Sequence, residues 1–142
     1  MKLSPLGLAI LCFAEEFKSV GYLDQAGVPT AGYGHTGPDV KVGVRYTPLQ
    51  GQVWLASDVA RFERAVSSAV DIDLKQNQFD ALVILCFNIG ISAFSESTLV
   101  RDLNANDAQD AVIQFAVWDK VRGVEDAGLE RRRAIEKALF LS

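Results

Sequence analysis

Residues 15–36 read EEFKSVGYLDQAGVPTAGYGHT, and the parsing of this stretch decides the fold. Upstream of it, residues 4–18 carry apolar positions at helical spacing. Ser4 stands where a cap belongs and Pro5 in the first turn, so a helix is expected over 4–18. The character then changes. Gly21, Gly27, Gly32, Gly34, Gly37 and Gly43 punctuate short β-prone pieces, which predicts strands at Tyr22-Leu23, 28–33 and 40–46. A small antiparallel sheet therefore follows the first helix.

Further out the chain turns helical. Thr47-Pro48 is a helix start, and 49–70 is long enough for one continuous helix. Residues 75–88 form a nearly all-apolar segment, expected at the centre of the core. Shorter helices are expected at 97–104, 107–118 and 129–139. The predicted class is α+β, as one domain spanning 1–142. A small β-containing lobe occupies about 14–48, and a larger helical lobe about 1–13 and 49–142, with an active cleft expected between them.

The 142 residues are 49% hydrophobic, enough for a core without disulfide staples. The two cysteines, Cys12 and Cys86, sit in separate apolar runs and read as buried free thiols. The net charge of −4 argues against a nucleic-acid partner. The apolar run from Leu6 to Phe13 is too short to span a membrane. It also lacks a cleavage site for a secretory signal, so synthesis in the cytoplasm without stable membrane insertion is expected. The single histidine, His35, with no Cys or His cluster, gives no reason to expect a metal. A Gly-x-Ser-x-Gly elbow and a phosphate loop are both missing, and no cofactor is expected.

Carboxylate chemistry remains. Glycoside hydrolysis needs one protonated carboxyl group and one ionised one, facing a single bond. Glu15 ends an apolar helix, where desolvation favours the protonated acid. Asp24 follows nine positions later and Thr30 six after that, offering a second carboxylate and a hydroxyl to hold a water. Composition alone leaves other readings open. A Glu-Glu pair at a helix end also suits a solvated face, Asp24-Gln25 a turn, and Thr30 an ordinary strand position.

The spacing of the whole stretch resembles the phage-type lysozymes of glycoside hydrolase family 24, in particular the phage P22 branch. The matching residues are Glu15, Tyr22, Asp24, Gly27-Val28, Thr30 and Gly32-Tyr33-Gly34-His35. Further similarity runs through Gln78-Phe79-Asp80-Ala81-Leu82, Phe87-Asn88-x-Gly90, Ser97-Thr98-Leu99, Phe115 with Trp118, and Gly128-Leu129-x-x-Arg132-Arg133-x-x-Glu136. The resemblance implies cleavage of the β-1,4 bond between N-acetylmuramic acid and N-acetylglucosamine in bacterial peptidoglycan, with host lysis as the outcome. It implies Glu15 as general acid, Asp24 as the carboxylate that activates water, and Thr30 as the residue positioning that water. It also implies inversion at the anomeric carbon, for which the carboxyl groups stand roughly 6.5–9.5 Å apart.

By the same resemblance Thr36, Phe87 and Ser97 match substrate-binding positions, while His35 and an arginine of the 131–133 run, Arg132 in preference to Arg131 or Arg133, match residues that support the site. Core packing is the competing reading for Phe87, and a helix cap for Ser97. A monomer acting on the wall after release through a holin is expected. The alternative is a lysozyme-like module that binds peptidoglycan or a protein without cutting. The chain departs from the family pattern twice: Glu16 stands where glycine is usual, and Ala31 where isoleucine is usual. As a helical neighbour of Glu15, Glu16 is expected to point about 100° away from it. Ala31 is expected to leave a space, costing roughly 2–4 kcal/mol unless neighbours fill it.

Overall fold

A computed structural model describes residues 1–142, all of the chain. The expected α+β class holds. Helix α1 (Pro5–Glu15) leads into strands β1 (Lys18–Leu23), β2 (Pro29–Gly32) and β3 (His35–Thr36). Helices α2 (Pro48–Ala69), α3 (Gln76–Ile89), α4 (Ile91–Ser95), α5 (Thr98–Asn104) and α6 (Ala108–Ile113) follow. A 3-10 turn at Gln114–Trp118, a small hairpin of β4 (Lys120–Val121) and β5 (Val124–Glu125), and α7 (Ala127–Leu141) complete the chain. The chain divides into two compact units, one of Met1–Gly7 with Arg61–Ser142 and one of Leu8–Ala60.

In the larger unit α3 is the centre. Every residue from Phe79 to Cys86 is buried, and all but Asp80 are apolar, as befits a core helix. Phe115 meets Phe140 at 5.6 Å between ring centres, and Phe62 meets Phe87 at 4.8 Å. Side-chain caps start α5, α6 and α7: Ser97 accepts from Val100 N–H, Asp107 from Asp110 N–H and Asp126 from Leu129 N–H. Buried charges are paired. Glu136 accepts from Arg133 Nη1 at 2.8 Å and from Arg132 Nε at 3.3 Å, and Arg133 Nη2 also reaches Asn88 Oδ1. The start of α1 is held likewise. Ser4 N–H and its hydroxyl both donate to the buried Asp80 carboxylate, while Ser4 Oγ accepts from Gly7 N–H at 3.0 Å.

In the smaller unit the sheet order is β1-β2-β3, antiparallel throughout. One face packs on α2. Ala31, fully buried, clusters with Val40 and Trp54, and Tyr46 packs against them. Ala31 is thus enclosed by large side chains on the face toward α2. Approach of the sheet to the helix is set by glycines. A Cβ on Gly32, whose φ is +64°, would stand 3.2 Å from the Gly51 Cα, and one on Gly51 would stand 2.7 Å from the Phe17 ring.

Five expectations change. The first helix stops at Glu15 rather than at 18, because Glu16 takes a left-handed φ of 51° and the chain turns there. Glu16 is thus no helical neighbour of Glu15, and its Oε2 faces Lys18 Nζ at 3.6 Å. Segment 40–46 is not a regular strand. It lies along the free edge of β1 through Gly21 N–H to Val44 O (2.9 Å), Gly43 N–H to Gly21 O (2.9 Å) and Tyr46 N–H to Ser19 O (2.7 Å). The helix expected at 107–118 tightens into a 3-10 turn after Ile113. Cys12 is half-buried rather than buried. Both cysteines are free, and burial pushes the Cys86 thiol up to about 12, which leaves it unreactive.

Candidate active site

Strand alternation sorts the smaller unit's functional candidates. Tyr22 pairs with Thr30, and Thr30 pairs with Thr36. Directly opposed residues share a face, so these three form one row across the sheet. Ala31 and His35, the next pair in the ladder, face the other way toward Trp54. Asp24, two residues beyond Tyr22, lies in the β1–β2 turn beside the same row.

That turn is organised around the backbone of one residue, Val28. Asp24 Oδ1 accepts from Ala26 N–H at 2.8 Å and from Val28 N–H at 2.9 Å. The Val28 carbonyl accepts from Asp24 N–H at 3.0 Å and from the Thr30 hydroxyl at 2.9 Å. Asp24 and Thr30 are thereby fixed to each other through Val28. One carboxylate oxygen is committed to the backbone and the other is left for chemistry. The Thr30 proton is already spent on a carbonyl, so its oxygen can receive a hydrogen bond from water. Glu15 is the last residue of α1 and half-buried.

His35 belongs to the opposite face. Its ring stacks on Trp54 at 4.5 Å and 15°, with Nδ1 2.8 Å from Asp58 Oδ2 and Nε2 3.1 Å from Asp39 Oδ1. Burial opposes charge on the ring, but the hydrogen bonds and negative charges of Asp58 and Asp39 outweigh it. The His35 pKa is raised above 6.5. The His35 hydrogen bond is the largest cause holding Asp39 below its usual range. Asp58 and Asp39 were not singled out by the sequence. Asp39 follows a Gly-Pro turn, which draws an Asp for local reasons, and Asp58 is one polar residue on a long helix.

The remaining candidates lie in the larger unit. Ser97 is buried, caps α5 and donates to Phe94 O at 2.6 Å. Phe87 is half-buried against Phe62. Arg132 pairs with Glu136. A groove of about 390 Å³ opens between α3, α6 and the end of α7, lined by Lys75, Gln78, Gln109 and Phe140 among others, and includes none of the candidates. No group of His, Cys, Asp and Glu has the arrangement of a metal site.

A family model of phage lysozymes matches residues 13–136. The chain belongs to the phage lysozyme family. It is 42% identical to the endolysin of Salmonella phage P22 across 100% of this chain and 99% of that protein. Identity to the endolysin of Acyrthosiphon pisum secondary endosymbiont phage 1 is 38%, with the same coverage. A solved variant of P22 lysozyme superimposes with a TM-score of 0.92 at 41% identity, covering 100% of this chain and 99% of that one. The lysozyme is therefore a glycoside hydrolase of the endolysin type, a phage muramidase acting on peptidoglycan. Some relatives bear the name SAR-endolysin, among them that of Escherichia phage Mu, 38% identical over 92% of this chain and 75% of its own length. No helix here is long and apolar enough to cross a membrane.

Proposed function

We propose that this lysozyme cleaves the β-1,4 bond between N-acetylmuramic acid and N-acetylglucosamine with inversion, using Glu15, Asp24 and Thr30. Glu15 donates its proton to the glycosidic oxygen as the bond to the anomeric carbon breaks. A water attacks that carbon from the opposite face. One of its protons passes to Asp24, and the Thr30 oxygen receives the other as a hydrogen bond. The observation that carries this reading is the Val28 junction, which fixes Asp24 and Thr30 together while leaving one carboxylate oxygen and the Thr30 lone pairs for a water. Positioned acid–base groups of this kind contribute about 10²–10⁴-fold each. We propose further that Thr36 and Phe87 contact the glycan, and that the enzyme works as a monomer in the periplasm after release through a holin.

The test uses purified protein and Gram-negative cells stripped of their outer membrane. Wild-type protein is expected to generate new reducing ends, and Glu15→Gln to lose at least a hundredfold of that rate. A Glu15→Gln protein that cuts normally removes Glu15 from the mechanism. The anomer first formed, read by NMR, decides between inversion and retention.

A further inference from the structure

The three tyrosines of the chain are not in the same situation. Tyr33 packs against Phe17 with ring centres 5.5 Å apart, and its hydroxyl engages Cys12 and Gln52. Tyr46 packs on Trp54 at 4.9 Å, and its hydroxyl accepts from Lys41 N–H and donates to Asp39 O. Tyr22 has no ring partner and no hydrogen bond to its hydroxyl, and is 39% exposed. A strand aromatic that stays more than a third exposed, with no ring beside it and no bond to its hydroxyl, is only partly used by the core. Its position is specific nonetheless. It heads the row Tyr22–Thr30–Thr36 and stands two residues before Asp24. Thr30, in the middle, is only 5% exposed, whereas Tyr22 and Thr36 on either side are open to solvent.

We propose that Tyr22 is a glycan-contacting residue, a platform on which a pyranose ring rests while the bond beside Asp24 and Thr30 is cut. The inference rests on the reading of that face as the reaction site. The chemistry fits. One face of a sugar ring presents C–H groups, and the electron-rich face of a phenol ring receives them, while the ring excludes water beside the reacting carbon. Strands lie about 4.8 Å apart, so the row spans roughly 10 Å, on the order of two sugar residues. A rigid ring with two torsions loses little entropy on contact. Tyr22 transfers no proton and is no catalytic residue.

The experiment compares Tyr22→Phe, Tyr22→Leu and Tyr22→Ala on solubilised peptidoglycan strands, with KM and kcat measured separately and melting followed by circular dichroism. Tyr22→Phe is expected to keep KM within about twofold. Tyr22→Leu and Tyr22→Ala are expected to raise KM about tenfold, equivalent to about 1.4 kcal/mol, with melting unchanged. Equal KM for the Leu and Phe variants, or a KM rise matched by a fall in melting temperature, overturns the proposal. The Glu15→Gln protein titrated with soluble N-acetylglucosamine oligomers supplies an independent arm, read by NMR on the Tyr22 ring protons. Those signals are expected to shift, and a lack of shift at saturation overturns the contact even if the reaction stands. If instead Glu15→Gln cuts normally while the signals shift, the mechanism fails and the contact survives.

Discussion

Thr30 and Ala31 are adjacent in the chain and face opposite ways. On the Ala31 side the sheet is closed: Ala31 is 0% exposed, Trp54 8%, and His35 is stacked and bonded at both nitrogens. On the Thr30 side polar groups gather around the Val28 backbone, with Tyr22 and Thr36 open to solvent. The difference separates two tasks that one strand performs by alternation. Burial on one face supplies most of the sheet's stability, and the other face holds polar groups that add little to it.

Four substitutions probe that division. The largest effect is expected from Trp54→Ala, which removes the ring under Ala31, His35 and Tyr46. It should cost about 3–5 kcal/mol in urea unfolding, while the fraction still folded at low temperature keeps its rate. A rate loss in fully folded protein would show that the two faces are coupled. Second is Thr30→Val, close to the same shape. Lysis should fall about a hundredfold, with a stability change of only about 1 kcal/mol for the lost bond to Val28. A stability loss without a rate loss would assign Thr30 to the closed face in function.

Third is the pH response of the closed face. The His35 pKa is raised, so the pairing contributes fully below the unfolded value of 6.5 and is lost as pH climbs through the folded value. Asp39 is lowered, so its part is present above 3.8 and is lost as pH falls through its folded value. Melting temperature should decline as pH rises above about 6.5, and His35→Gln should flatten that slope. An unchanged slope in His35→Gln would place the titration elsewhere. The smallest effect is expected from Glu16→Gly, which relieves a left-handed backbone and forfeits only an exposed contact with Lys18. A gain of about 1 kcal/mol is expected, and a loss would mean the Lys18 contact outweighs the strain.

The sequence made some of this legible and hid the rest for identifiable reasons. Ser4, Thr47 and Ser97 announced helix starts because a hydroxyl cap is a local interaction, and the apolar 75–88 run could belong only to a core. The end of α1 was hidden. Glu16 occupies a position where glycine would have signalled the stop, and apolar Phe17 carried the pattern past it. Helix α4 has five residues, too few for a period. The β4–β5 hairpin turns on Arg122 and Gly123, with φ of 51° and 80°, where an Asn-Gly pair would have been readable. At the site, spacing singled out Asp24 and Thr30. Their shared face depends on the Tyr22–Thr30–Thr36 register, which is a property of pairing and not of any one segment.

Val28 shows where such information resides. Its side chain is exposed and meets no stated need, whereas its amide and carbonyl hold Asp24 and Thr30. A saturation scan should therefore find position 28 permissive to most residues and intolerant of proline, which has no N–H to give Asp24. The selective constraint there is written in the main chain, so a record of which amino acids are allowed would undervalue one of the site's chief supports.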